Sequence, residues 1–154
     1  MARILIVPCG CRGRALAAEL VAAGHAVRGT TRDPAHAEAI RAAGAEPYVG
    51  DPDRIGTLMD ALAGVTVVCW LMGTLPEPEL HAGRLRMLWE KLVDTPVRGV
   101  VYEPTQPPLP EGERVARTAS ETWRIPLEVL TADPRDHAAW LAAARASVDR
   151  LLGL

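Results

Sequence analysis

The stretch ILIVPCGCRGRAL, residues 4–16, predicts how the chain begins to fold. Its first four residues form an unbroken run of β-prone apolar side chains, typical of a strand buried on both faces of a parallel sheet. A turn containing two glycines follows, and apolar residues then recur at helical spacing until Gly24, which is suited to a helix C-cap. The stretch therefore predicts a strand, a tight turn and a helix in direct succession.

The same alternation of strands and helices continues to the end of the chain. Further strands are predicted at 26–30, 46–49, 65–71, 97–102 and 127–131, and further helices at 34–43, 54–63, 79–93, 113–123 and from Asp133-Pro134 nearly to Leu154. Four prolines make 103–112 a loop. Six strands separated by helices predict a doubly wound, mainly parallel sheet of order 3-2-1-4-5-6, in a single α/β domain covering residues 1–154. In such sheets, ligands bind at the carboxyl ends of the strands, near the switch between the first and the fourth.

Composition excludes several classes of protein. The 17 basic and 19 acidic residues leave a formal net charge of −2, which gives no support to a nucleic-acid partner. No apolar run approaches the roughly 18 residues of a membrane span, and the N-terminus is typical of a first strand rather than a signal peptide. With three cysteines, an odd number, we expect reduced thiols in a cytoplasmic protein.

The turn after the first strand resembles the dinucleotide fingerprint GxGxxG, with Pro8 in the place of the first glycine. Gly10 would let the backbone approach a pyrophosphate, and Gly13 would let the helix and the strand pack closely. The amides that begin the helix, including those of Cys11 and Arg12, favour an anion. The alternative is a tight turn with a purely structural role.

Beyond this turn, the chain resembles the Rossmann domain of atypical or extended short-chain dehydrogenases/reductases, without their C-terminal substrate domain. The resemblance is carried by residues 10–16, 23–34, 44–46 with Gly50-Asp51, 61–65 and 98–102. It implies an NAD(P)-binding Rossmann fold, with Asp51 beside the adenine. It also implies that Leu71, Met72 and Gly73 line the path from the adenine ribose to the nicotinamide. As an alternative, Asp51 is an ordinary turn residue.

The end of the second strand indicates which dinucleotide is preferred. NAD sites usually place a carboxylate there, whereas an arginine accommodates the 2′-phosphate of NADP. Thr31-Arg32 occupies this position, so NADP is predicted rather than NAD, with Arg32 as the phosphate ligand and Arg12 as a second cation. The alternative is that Arg32 is one more solvated arginine in an arginine-rich chain.

The catalytic pair of the family is absent from the sequence. Short-chain reductases usually carry a tyrosine with a lysine four residues later, but here Tyr48 is followed at that spacing by Pro52 and Tyr102 by Gln106. Glu103, Thr105 and His81 are candidate proton donors, and each has an alternative as a surface or loop residue. Whether the chain is an enzyme stays open. If it is, the resemblance implies an NAD(P)-dependent oxidoreductase acting on a small substrate.

Two further features have alternative interpretations. The apolar side chains of the helix at 79–93 either form a homodimer face on a cofactor-free scaffold or pack in the core; they are Leu85, Leu88, Trp89 and Leu92. Cys9 and Cys11 either fill the turn or form a redox-sensitive pair. No metal site is predicted, because no further ligands stand at metal-binding spacing.

Overall fold

The computed structural model describes residues 1–154 and contains one six-stranded sheet. The strands are β1 (Arg3–Val7), β2 (Ala26–Thr31), β3 (Glu46–Val49), β4 (Val67–Leu71), β5 (Gly99–Glu103) and β6 (Leu127–Val129). Their order is β3-β2-β1-β4-β5-β6, and every neighbouring pair is parallel. The predicted doubly wound Rossmann sheet is confirmed, and its order reverses between β1 and β4.

Helices cover both faces of the sheet. They are α1 (Cys11–Ala22), α2 (Ala37–Ala42), α3 (Gly83–Leu92), α4 (Gly112–Trp123) and α5 (His137–Leu152). Alternate residues of β1 point to opposite faces: Ile4 and Ile6 pack with α1, α2 and α5, whereas Leu5 and Val7 pack with α3 and α4. None of the helices combines the length and the apolar character that crossing a membrane requires.

The prediction of a helix at 54–63 is wrong. This segment forms two short 3-10 turns, Ile55–Leu58 and Asp60–Leu62. The Thr57 hydroxyl donates to the carbonyl of Arg54 at 2.7 Å and accepts from the amide of Asp51 at 2.8 Å. These side-chain bonds tie the segment to the turn after β3 and compete with the helical pattern of backbone bonds.

Three other helices begin later than predicted. The segment at 34–43 starts with a 3-10 turn, Pro34–His36, and α2 begins only at Ala37. The segment at 79–93 starts with a 3-10 turn, Pro78–His81, and the α-helix begins only at Gly83, after a break at Ala82. The last helix is capped by Asp136, whose side chain accepts from the amide of Ala139 at 3.2 Å. Asp133 instead closes a turn, because its carboxylate accepts from the amide of Arg135 at 2.9 Å.

The apolar face of α3 belongs to the core. Its four large apolar residues are at most 1% exposed and pack against β4 and β5; they are Leu85, Leu88, Trp89 and Leu92. The prediction that this face of α3 forms a dimer contact is therefore wrong, and the alternative of core packing is confirmed.

Candidate functional site

A cavity of about 590 Å³ opens at the carboxyl ends of β1, β2 and β3. It is lined by residues of the turns after these strands and of the loop after β4: Pro8, Cys9, Gly10, Cys11, Arg14, Thr30, Thr31, Arg32, Asp33, His36, Ala39, Gly50, Asp51, Pro52, Asp53, Leu75, Glu77 and Leu80. Its volume lies within the roughly 300–1,000 Å³ of small-molecule sites. It also occupies the edge of the sheet where this fold binds ligands.

The two glycines of the first turn have different surroundings. A Cβ atom at Gly10 would meet no heavy atom within 4 Å, so the space above this residue is open. A Cβ atom at Gly13 would lie 3.0 Å from both the Cγ2 atom of Ile6 and the carbonyl oxygen of Pro8, so α1 can pack this closely on β1 only with glycine there. Pro8 forms part of the cavity wall and leaves the cavity open. The first amides of α1 have no acceptor within the helix and attract an anion.

Two arginines in the cavity have no anionic partner. Arg32 is exposed and directly follows β2, and Arg14 is half-buried on the first turns of α1. Neither guanidinium takes part in any of the ion pairs or side-chain hydrogen bonds of the structure. An unpaired guanidinium offers planar donors to a phosphate or carboxylate ligand. Arg32 was predicted from the sequence, whereas Arg14 was not among the predicted residues.

Two neighbouring threonines shape the end of β2. Thr30 lines the cavity, and its hydroxyl is fully buried without a hydrogen-bond partner. The Thr31 hydroxyl accepts from the amide of Asp33 and donates to its carbonyl, both at 3.1 Å, which fixes the turn that carries Arg32. A buried hydroxyl without a partner costs about 1–3 kcal/mol. The Thr30 hydroxyl is therefore an unsatisfied polar group next to the cavity wall.

The carboxylates beside these arginines are engaged in their own turns. Asp33 accepts from the amide of Ala35 at 2.9 Å, as expected for a residue that caps a helical turn. Asp51 accepts from the amide of Asp53 at 2.9 Å, so it acts as a turn residue while also lining the cavity. Both alternatives for Asp51 are thus compatible with its position.

Arg12 points away from the cavity and binds Glu103. Its Nη1 and Nη2 atoms lie 2.5 and 2.9 Å from the Glu103 carboxylate oxygens, and its guanidinium lies 4.6 Å from the centre of the Trp140 ring. Glu103 is 1% exposed and also accepts from the Gly73 amide at 2.9 Å and from Trp140 Nε1 at 2.7 Å. We call this set of four residues the Arg12–Glu103 bridge. Arg12 therefore does not line the cavity and its charge is paired, which gives no support to its predicted role as a cavity cation.

The remaining residues predicted for the cofactor path do not line the cavity. Leu71 and Met72 are buried in the core, and Gly73 belongs to the Arg12–Glu103 bridge. A Cβ atom at Gly73 would lie 2.4 Å from the carboxyl carbon of Glu103, so only glycine fits against this side chain.

Nor does any candidate proton donor line the cavity. His81 is 1% exposed and lies between the Leu75 carbonyl, 2.8 Å from Nε2, and the Tyr102 hydroxyl, 2.6 Å from Nδ1. Because a carbonyl only accepts, Nε2 carries the hydrogen and Nδ1 accepts from Tyr102. Burial raises the pKa of Tyr102. The Thr105 hydroxyl donates to the carbonyl of Pro107 at 3.0 Å, and Glu103 is held in the bridge.

The cysteines of the first turn differ in exposure. Cys9 is buried against Gly29. A Cβ atom added to Gly29 would lie 2.6 Å from the Cys9 sulfur. Burial raises the pKa of the Cys9 thiol to about 12, and the nearby Arg14 offsets part of that shift. Cys11 is exposed and lines the cavity. No group of three or more His, Cys, Asp or Glu side chains is arranged to hold a metal ion.

Comparison with known proteins agrees with this geometry. Residues 10–101, well over half of the chain, match a family described as NAD(P)H-binding. The chain belongs to this NAD(P)H-binding family. The match begins at Gly10 and ends within β5, so it includes all the residues that line the cavity except Pro8 and Cys9. No curated protein is significantly similar in sequence.

Solved structures of reductases and of other short-chain dehydrogenase/reductase proteins share the fold of this NAD(P)H-binding family member. Triphenylmethane reductase of Citrobacter sp., complexed with NADP(H), superposes with a TM-score of 0.66 at 19% identity, over 84% of this chain and 48% of its own. Yeast methylglyoxal/isovaleraldehyde reductase, complexed with NADPH, superposes with a TM-score of 0.67 at 13% identity, over 84% of this chain and 53% of its own. A short-chain dehydrogenase/reductase superfamily protein of Agrobacterium tumefaciens with bound NAD has a TM-score of 0.64 at 19% identity, over 82% of this chain and 47% of its own. The chain spans about half the length of these proteins.

Proposed function

We propose that this chain binds NADP(H) and does so without the tyrosine–lysine pair of short-chain reductases. In this proposal Arg32 contacts the 2′-phosphate, while Arg14 and the first amides of α1 contact the pyrophosphate. The observation that carries the proposal is that both arginines line the cavity and neither has a carboxylate partner. The three free cysteines agree with a reducing compartment, and we propose the cytoplasm.

The preference for NADP over NAD rests on the residues that end β2. An NAD site needs a carboxylate there that is free to accept from the ribose hydroxyls. The first carboxylate after β2 is that of Asp33, whose Oδ1 atom caps a helical turn by accepting from the Ala35 amide. Arg32, one position earlier, is exposed at the cavity with all its donors free. This arrangement favours a ligand that carries a phosphate on the ribose.

No observation favours the alternative of an active oxidoreductase with a non-standard proton donor. Glu103 and His81 are almost completely buried and use their polar atoms within the protein, and the Thr105 hydroxyl is bonded to the backbone. The alternative of a cofactor-free dimeric scaffold also loses its support, because the apolar face of α3 is buried. Cofactor binding is therefore the function that the geometry supports best.

Calorimetric titration of NADPH and NADH into the wild-type chain and the Arg32→Ala variant tests this proposal. A hydrogen-bonded ion pair contributes about 1.5–3 kcal/mol, so we expect the variant to lose about 10- to 100-fold in NADPH affinity. Its affinity for NADH should change less than about twofold, because NADH lacks the 2′-phosphate. Arg86→Ala is the matched control, since Arg86 is exposed on α3, forms no ion pair and does not line the cavity. Equal losses for both cofactors, or no loss, would refute the role of Arg32.

A further inference from the structure

Most of the cavity lining belongs to one half of the sheet. A doubly wound dinucleotide fold consists of two mononucleotide-binding halves, here β1–β3 and β4–β6, which each hold one nucleotide at their carboxyl ends. The turns after β1, β2 and β3 supply most of the cavity lining, and the loop after β4 supplies three further residues. No residue after β5 or β6 contributes to it. The structure therefore offers an open site in the adenosine half.

The Arg12–Glu103 bridge crosses the other half. It runs from the first turn of α1 to the last residue of β5, and β4 lies between β1 and β5 in the sheet. At the carboxyl end of β4, the Gly73 amide bonds to the same carboxylate. A nicotinamide nucleotide that extended from the α1 amides over β4 and β5 would meet these side chains. The bridge thus occupies the edge where the second nucleotide would lie.

The polar atoms of the Arg12–Glu103 bridge are bonded to one another, which leaves few of them free for a ligand. Both Glu103 oxygens accept hydrogen bonds, two from Arg12, one from Gly73 and one from Trp140. The guanidinium is only 17% exposed and stacks on the Trp140 ring. Removing either partner would leave a buried charge unpaired, which is strongly unfavourable. The reduced nicotinamide ring of NADPH is neutral and brings no charge that could replace either one.

We propose that this site recognises the adenosine half of the nucleotide, a 2′-phosphorylated adenosine with a 5′-phosphate, and leaves the nicotinamide outside the protein. This inference rests on the proposed function, because it uses the same cavity and the same arginines. Arg32 and Arg14 line the cavity and provide the two cations that the 2′- and 5′-phosphates need. The chain then binds 2′-phosphoadenine nucleotides and does not present the nicotinamide for hydride transfer.

Titration of four nucleotides into the wild-type chain tests this proposal: NADPH, NADP⁺, adenosine 2′,5′-bisphosphate and reduced nicotinamide mononucleotide. We expect the bisphosphate to bind within about threefold of NADPH, NADP⁺ to equal NADPH, and the mononucleotide not to bind. If NADPH binds more than about 30-fold tighter than the bisphosphate, the nicotinamide is recognised and this inference is overturned while the proposed function stands. If none of the four binds, the proposed function fails, and this inference fails with it.

Fluorescence of the reduced nicotinamide gives an independent readout. At saturation, NADPH excited at its own absorption band should emit as it does free in buffer, because its ring stays in water. An emission increase of severalfold or a shift to shorter wavelength would indicate an enclosed ring and overturn the proposal. This measurement needs no variant.

The Arg12→Ala variant tests the bridge itself. Removing the guanidinium opens the space beside Glu103 and leaves the carboxylate its bonds to Gly73 and Trp140. We expect the affinity for NADPH, relative to that for the bisphosphate, to rise at least threefold. Arg145→Ala is the control, because Arg145 also forms a partly buried ion pair but lies outside the cavity. An unchanged ratio in Arg12→Ala would overturn the role of the bridge, and the wild-type titration decides the proposal if this variant does not fold.

Discussion

Replacing Glu103 by alanine removes the acceptor on which the Arg12–Glu103 bridge depends. The carboxylate accepts four hydrogen bonds: two from Arg12, one from the Gly73 amide and one from Trp140 Nε1. Because Glu103 is 1% exposed, water does not reach the space that its side chain leaves unless the structure opens. All four donors therefore lose their partner in the same substitution.

Two arguments give the size of the effect. Breaking a buried ion pair by removing one partner typically costs about 3–5 kcal/mol. Counted separately, each buried donor left without an acceptor costs about 1–3 kcal/mol, and the Trp140 and Gly73 donors both fall in this class. Arg12, at 17% exposure, regains some contact with water and limits the total. We expect Glu103→Ala to lower the free energy of unfolding by about 3–5 kcal/mol, a large part of the roughly 5–15 kcal/mol of an ordinary domain.

Urea unfolding followed by tryptophan fluorescence measures this difference, because Trp70, Trp89 and Trp140 are fully buried in the folded chain. Glu113→Ala is the matched control. Glu113 pairs with Arg117 one turn along α4, both side chains are about half exposed, and such pairs contribute about 0.3–0.5 kcal/mol. If the two variants differ by less than about 1 kcal/mol, the buried bridge is not formed in solution, and the reasoning that the nicotinamide half is closed is refuted.

Two further predictions concern the first turn. Burial raises the pKa of Cys9 and of Cys69 to about 12, so both thiols stay protonated at pH 8. A thiol reagent should therefore modify only Cys11 in the folded chain, and NADPH should slow that reaction. Modification of all three cysteines before unfolding would contradict the structure. Gly13→Val should destabilise the chain by about 1–3 kcal/mol in the urea assay, because its Cβ would lie 3.0 Å from Ile6 and Pro8. Gly10→Ala is the control with open space around its Cβ, and equal stability of the two variants would count against this packing.

The order of the sheet could be predicted from sequence because it depends on strong local signals. Residues 4–7 of β1 and all of β4 are unbroken apolar runs. The segments between the strands are long enough for right-handed crossovers. The segment at 54–63 was predicted wrongly for a physical reason. Its apolar spacing is compatible with a helix, but the bonds between Thr57 and the turn at Asp51 decide its conformation. Contacts of this kind are visible only once the chain is folded.

The candidate site was predictable only in part. The position of Arg32 after β2 follows from the motif, but the choice between Arg12 and Arg14 required the structure. These two residues are separated by about 200° around α1, so they point to opposite sides of the helix. Arg12 meets Glu103, which is 91 positions away in sequence, and no local pattern reports that pairing. The spacing of the two arginines was the available signal, since only one of them can face the cavity.

The positions of the free cations decide where a phosphate can bind in the cavity, although the lining also includes Glu77, an exposed carboxylate in no ion pair. Counted by residue, its lining is more acidic than basic. Yet Asp33 and Asp51 are bonded to amides of their own turns, and Asp53 is paired with an arginine of α3. Arg14 and Arg32 have no such partner, and the only other strong cation near the turn is held by Glu103. The free donors all lie in the adenosine half, so an anion that enters this cavity meets them there and has no comparable partner over β4 and β5.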